Sequence, residues 1–193
     1  MEALLTSAGV VALAEIGDKT QLLAILLAAR FRRPLPIIAG IFVATLVNHA
    51  GAALVGKIAA SFLDGPVLTL ALGLGFLAMA AWALIPDKEE GVPEGPAGAG
   101  AFLATAIAFF LVEMGDKTQI ATVALAARFQ SVLAVAAGTT IGMMAANVPA
   151  VLLGDVILRR APLKLIRAGA AAVFALLGAA TLIAAFAGWR LAS

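Results

Sequence analysis

Apolar residues fill this chain in long blocks, and most polar positions fall between them. Six blocks are long enough to cross a bilayer, at about 20 residues per crossing. They are Ala3–Ala29, Leu35–Phe62, Val67–Ile85, Ala101–Ala127, Val132–Leu158 and Leu165–Ala187. The first and fourth, at 27 residues each, have length to spare, so the sequence predicts that they tilt or break near Gly17 and Gly115. The third carries no charge, and its Trp82, like Trp189 after the sixth block, suits an interfacial anchor. Met1-Glu2 is not the basic start of a secretory signal, and the run after it is too long for a signal core; the first block is read as a retained helix.

The connections are short except one. Pro86–Gly100 holds Asp87, Lys88, Glu89, Glu90 and Glu94 among prolines and glycines, the composition of a flexible acidic linker. Taken as residues 87–100, it separates a first three-helix repeat, 1–86, from a second, 101–193. The repeats align at a constant offset of 98: Glu15–Gln21 on Glu113–Gln119, Ala28–Phe31 on Ala126–Phe129, Gly40 on Gly138 and Gly56 on Gly154. Three is odd, so the second repeat must cross in the opposite sense. The expected fold is therefore an all-α, polytopic membrane protein, six transmembrane helices forming one domain of two inverted repeats.

Composition agrees. Of 193 residues, 63% are hydrophobic and 12% charged, with a mean hydropathy of +1.09. Soluble chains run at about 45–50% apolar and about 25% charged. Abundant Ala and Gly, with no Tyr, suit helices packed closely in lipid. The absence of cysteine excludes disulfides and thiolate metal sites, and a single histidine excludes a multi-histidine zinc centre. The net charge of +2 contains no run suited to nucleic acid. With no nucleophile constellation and no cofactor loop, the sequence points away from an enzyme and calls for no cofactor. Monomer and homodimer are both compatible with it.

Loop charges set an expected orientation. Arg30, Arg32, Arg33, Lys88, Arg159, Arg160, Lys164 and Arg167 share one side, against Lys57, Arg128 and Arg190 on the other. The positive-inside rule then places the linker in the cytoplasm and both termini outside.

The candidate chemistry is one phrase stated twice inside apolar blocks: Glu15-Ile-Gly-Asp-Lys-Thr-Gln21 and Glu113-Met-Gly-Asp-Lys-Thr-Gln119. Ionisable side chains at the centre of a bilayer cost roughly 2.5–3.5 kcal/mol each on insertion scales, so their presence asks for a function. On a continuous helix Glu15 and Asp18 share a face, as do Glu113 and Asp116. Four carboxylates from two crossing helices could then converge, as oxygen ligands for a hard divalent cation. Thr20, Gln21, Thr118 and Gln119 could add hydroxyl or amide oxygens, and unwinding at Gly17 and Gly115 could expose carbonyls. Each motif carries two carboxylates and one lysine, so the pair sums to −2, which one divalent cation or protons would neutralise. The plainer account is that Glu15 with Lys19, and Glu113 with Lys117, are i,i+4 ion pairs. It leaves Asp18 and Asp116 unexplained, and Lys19 and Lys117 are read as supports that position the acids. Asn48, His49 and Asn147, mid-block and with His49 aligned on Asn147, fit either helix–helix hydrogen bonds or a place beside the ion or proton path. Gly138-x-x-x-Gly142 reads as a packing face, and Asp155 as a solvated charge.

The doubled Glu-x-Gly-Asp-(Lys/Arg)-(Thr/Ser), each copy in the first helix of a three-helix half with a charged linker between, resembles the GDT-type Mn2+/Ca2+:H+ antiporters. The resemblance covers essentially the whole chain. It implies export of Mn2+, or transport of Ca2+, from the cytoplasm in exchange for H+, with Glu15, Asp18, Glu113 and Asp116 binding the cation. It also implies a prokaryotic cytoplasmic membrane as the home. Two alternatives remain beside it: an exporter of another cation such as a basic amino acid, and a non-transporting membrane assembly subunit.

Overall fold

The computed structural model describes residues 1–63, 65–85, 100–154 and 163–192, of which 163 and 188–192 by backbone alone. Their regular structure is all helical: α1 (Glu2–Glu15), α2 (Lys19–Phe31), α3 (Pro34–Ser61), α4 (Gly65–Ala83), α5 (Ala101–Glu113), α6 (Lys117–Phe129), α7 (Val132–Leu153) and α8 (Leu163–Ala192). Among the described residues, four helical stretches are long and apolar enough to cross a membrane: Pro34–Ser61, Gly65–Ala83, Val132–Leu153 and Lys164–Ala187. The first and fourth apolar blocks are instead each broken in two, as α1–α2 and α5–α6.

The repeated phrase spells out that break. Glu15 and Glu113 end their helices. Ile16 and Met114 turn extended, at ψ 116° and 117°. Gly17 and Gly115 follow at φ 82° and 78°, a left-handed conformation that costs a glycine nothing sterically. Asp18 and Asp116, at ψ 167° and 165°, are the N-caps of α2 and α6, a position aspartate favours. The expectation that each Glu–Asp pair shares one helical face is thereby corrected: the two acids stand on opposite sides of a helix break.

Other ends follow local chemistry too. Arg32 and Gln130 adopt left-handed caps whose N–H groups donate to Ala28 and Ala126, both at 2.9 Å. Pro34 opens α3, where its missing N–H is not needed. α7 stops at Leu153, short of the expected Leu158, because Gly154 closes it at φ 64° and bonds Ala150 O at 3.0 Å. Lys164 and Arg167, counted as loop charges, belong to the first turns of α8. Residues 87–99 of the linker, Asp155, Arg159, Arg160 and the side chains of Trp189 and Arg190 lie outside the described residues.

Small residues let the helices approach closely, and the contacts recur at the offset of 98. A Cβ on Gly138 would overlap the Leu4 carbonyl and the Ser7 side chain, so α1 lies against α7. A Cβ on Gly40 would meet the Phe102 carbonyl at 2.7 Å and Thr105 Cβ at 2.8 Å, so α5 lies against α3 in the matching way. Successive contacts run in the same direction along each pair. On α3, Gly40 meets Phe102, Asn48 bonds Phe110 O and Gly56 meets Val123. On α7, Gly138 meets Leu4, Gly142 meets Ala8 and Ala146 O bonds Gln21. α4 packs on α8 through the buried, stacked rings of Phe76 and Phe174, themselves 98 apart, with centroids 6.5 Å apart. One buried cluster gathers Phe76, Leu125, Val135 and Phe174, and another gathers Leu23, Ile37, Ile41 and Phe109.

Candidate metal centre

Because each motif glutamate ends a half-helix, it sits at the negative end of a helix dipole, which offers a carboxylate no support. The support comes from across the break. Thr20 Oγ1 donates to Glu15 Oε2 at 2.6 Å, and Thr118 Oγ1 donates to Glu113 Oε2 at 3.1 Å. Both glutamates are fully buried. Asp116 Oδ2 also lies 3.4 Å from the N–H and the hydroxyl of Thr118, capping α6. Asp18 occupies the equivalent backbone position and accepts from the Gln21 N–H through its carbonyl, at 3.1 Å, but its side chain makes no cap bond to α2.

The structure brings Glu15, Glu113 and Asp116 together: each can present an oxygen within 4.8 Å of the others. Asp18, although buried, is outside that group, so three carboxylates converge rather than the four expected. A trio of buried carboxylate oxygens with nearby hydroxyls is a donor set for a hard divalent cation.

Among the described residues no i,i+4 ion pair joins Glu15 to Lys19 or Glu113 to Lys117, because no helix runs through either break to hold one. Lys19 Nζ reaches across to Asp116 Oδ1 at 2.7 Å, joining the first motif to the second. Lys117 donates to Ile85 O at 3.0 Å and lies 5.9 Å from the centroid of the Trp82 ring. The glutamines are placed differently from the ligand role expected of them. Gln21 Oε1 and Gln119 Oε1 accept from the Gly17 and Gly115 N–H groups, at 2.8 and 2.7 Å, and so bridge the breaks. Gln21 Nε2 also donates to Ala146 O at 2.8 Å.

Asn48 and His49 are neighbours on α3 with different fates. Asn48 Nδ2 donates to Phe110 O at 3.1 Å, satisfying a carbonyl in the last turn of α5 that has no helical partner. His49 is fully buried, and neither ring nitrogen has a hydrogen-bond partner among the described residues; it is not in the carboxylate group. Asn147 Nδ2 bonds back to Met143 O at 3.1 Å within α7. One residue near the site was missed. Arg167 of α8 lines a small pocket of about 20 Å³ with Asp18, Gly17 and Lys117. Its sequence neighbours gave no sign of that, since it reads as one more positive-inside charge. A larger cavity, about 470 Å³, borders the second break at Met114 and Gln119, with Asn48 on its wall.

Comparison with known proteins bears on what this centre is for. The family description "Divalent cation/proton antiporter GDT1" fits residues 3–91 and, separately, residues 101–189. A relative from Vibrio cholerae serotype O1, provisionally named a manganese exporter, is 52% identical over 182 residues, which span 94% of this chain and 90% of its own. No solved structure matches the chain. Two matches to one family description, together covering nearly the whole sequence, settle its kinship: this chain belongs to the divalent cation/proton antiporter family GDT1.

Proposed function

We propose that this protein exports Mn2+ from the cytoplasm, and accepts Ca2+ as a second cation, in exchange for protons. The observation that carries the reading is the buried trio of Glu15, Glu113 and Asp116, drawn from both breaks. An all-oxygen donor set suits either ion. Carboxylates must be deprotonated to ligate a metal, so the groups that release protons to bind the cation can take protons back when it leaves. The name of the Vibrio cholerae relative supports Mn2+ as the physiological cargo.

The proposal includes an architecture. α3, α4, α7 and α8 each cross once, and the broken pairs α1–α2 and α5–α6 make two further crossings, six in all. Residues 1–86 and 101–193 form two inverted repeats joined by the linker 87–100. Support comes from contact direction. α5–α6 runs alongside α3 in the same sense, while α3 follows α2 after the short reversal at Arg32–Arg33. The two broken crossings then run in opposite senses, so the motifs approach the centre from opposite sides. Broken helices around a central ion site are a device of secondary transporters, and rocking of one bundle against the other would expose the site alternately. The excess of Lys and Arg on one side supports a cytoplasmic linker with both termini outside, and the family resemblance supports the cytoplasmic membrane of a prokaryote as the setting.

The test is metal-dependent proton flux in proteoliposomes containing the purified protein. An imposed proton gradient should drive Mn2+ against its own gradient, with protons moving the other way. Flux driven by arginine or lysine in place of Mn2+ would favour the amino-acid exporter. Mn2+ movement indifferent to the proton gradient would leave a uniporter as the better account.

A further inference from the structure

We propose that Lys19 is a tethered stand-in for the transported cation: its ammonium holds Asp116 when no metal does, and loading of the metal displaces it. The proposal rests on the reading of Glu15, Glu113 and Asp116 as the metal site. Three observations lead to it.

The first is a conflict over one carboxylate. Asp116 belongs to the converging trio, yet its Oδ1 is 2.7 Å from Lys19 Nζ, while Oδ2 lies 3.4 Å from the Thr118 N–H and hydroxyl. A divalent ion ligated by Asp116 at the usual distance of roughly 2.0–2.6 Å would stand within a few ångströms of the ammonium. Cations that close repel strongly where water is scarce. Metal and lysine therefore compete for the same anion.

The second is that only one of the partners can leave. The Lys19 side chain is 33% exposed and that of Asp116 only 5%. A flexible four-carbon stem can carry the ammonium outward, where water solvates it; the aspartate is fixed as the N-cap of α6.

The third is the span of the pair. Lys19 is the first residue of α2 and Asp116 precedes α6, so the ion pair bridges the two broken crossings. Metal loading would exchange this bridge for ligation by the trio. The same lysine in the other motif is engaged elsewhere, at Ile85 O and over Trp82, so the bridge described here belongs to Lys19. The empty carrier thus keeps a cation at the site, and the transported ion enters by substitution.

The experiment compares Mn2+ binding by calorimetry in detergent for the wild type, Lys19→Gln and Lys19→Arg. Removing the internal competitor should tighten Mn2+ binding about tenfold in Lys19→Gln, while slowing proton-driven exchange. Lys19→Arg should keep the wild-type affinity within about threefold, because a guanidinium still competes. A lysine that only positions the acids would give the opposite result, weaker binding in Lys19→Gln. A second measurement needs no substitution: the rate of acetylation of Lys19 in the wild type, read by mass spectrometry against exposed Lys57. Saturating Mn2+ should raise the Lys19 rate several-fold. Unchanged or weaker binding in a folded Lys19→Gln protein, or an acetylation rate that Mn2+ leaves unchanged or lowers, would overturn the proposal. Wild-type protein that binds neither Mn2+ nor Ca2+ would instead overturn the metal-site reading beneath it.

Discussion

The two helix breaks have nearly the same sequence and the same backbone, yet they sit in different surroundings. Dihedrals at Ile16 and Met114, Gly17 and Gly115, and Asp18 and Asp116 agree within a few degrees. At the first break Gln21 is 2% exposed and bonded both to Gly17 and to α7. At the second, Met114 and Gly115 are exposed, Gln119 is only half-buried, and the large cavity lies alongside. Lys19 crosses to the other motif, whereas Lys117 turns to α4. A short phrase can dictate a local backbone; what that backbone does depends on the helices packed on it. Duplicated sequence has produced a pair of breaks that are alike in shape and unlike in chemistry.

The acids test that difference most severely. Glu15→Gln, Glu113→Gln and Asp116→Asn should each abolish detectable exchange in proteoliposomes, a loss beyond the roughly 10–100-fold typical of a supporting residue. Asp18→Asn should weaken Mn2+ binding by less than about tenfold, since Asp18 stands outside the trio. Equal losses of metal affinity for Asp18→Asn and Asp116→Asn would erase the distinction between the breaks. The direction with pH follows from the chemistry. Protons and metal compete for the same carboxylates, so wild-type affinity should fall as pH falls, with protons released on binding. Calorimetry in buffers of different ionisation enthalpy measures that release.

Packing glycines come next, and they should behave alike in the two halves. In Gly40→Ala the new methyl would meet backbone of Phe102 at 2.7 Å, and in Gly138→Ala it would overlap backbone of Leu4. Helix backbone cannot move aside cheaply, so each should lose about 1–3 kcal/mol of stability. Gly115→Ala meets no atom within 4 Å; its cost is that of a left-handed alanine, about 1–2 kcal/mol. Thermal unfolding in detergent ranks the three. A Gly115→Ala protein as stable as the wild type would show that the break relaxes without its left-handed residue.

Much of this was legible in the sequence, and the rest was not for physical reasons. Apolar block length marked the helices, and a glycine between two acids inside a long block marked where two of them break. The acids Glu15, Glu113 and Asp116 stood out because charge inside such a block is costly. Local pattern could not show that Lys19 would pair with Asp116, since near-identical motifs predict identical pairing and only tertiary packing separates them. The bridging role of the glutamines was hidden for a related reason: a break at glycine frees its N–H, but the sequence does not say which acceptor takes it. Arg167 lies inside the sixth block but counts there only as a positive-inside charge, because a charge near a helix start does not show which neighbouring helix it faces.

That bridging role supplies the finest test of the comparison. Gln21→Leu removes the acceptor for the Gly17 N–H and the donor to Ala146 O, in a place water reaches poorly. Leaving buried polar groups unpaired costs about 1–3 kcal/mol. α7 is already weakened there, because Pro149 removes one of its backbone bonds just beyond Ala146. Gln119→Leu removes only the acceptor for Gly115, at an exposed glycine where water can replace the amide oxygen. Its loss should stay under about 0.5–1 kcal/mol, the net worth of a solvated hydrogen bond. Unfolding of both variants in detergent, with Mn2+ absent, isolates these terms from metal binding. A Gln119→Leu loss as large as that of Gln21→Leu would mean that water does not reach the second break, and the openness ascribed to it would have to be given up.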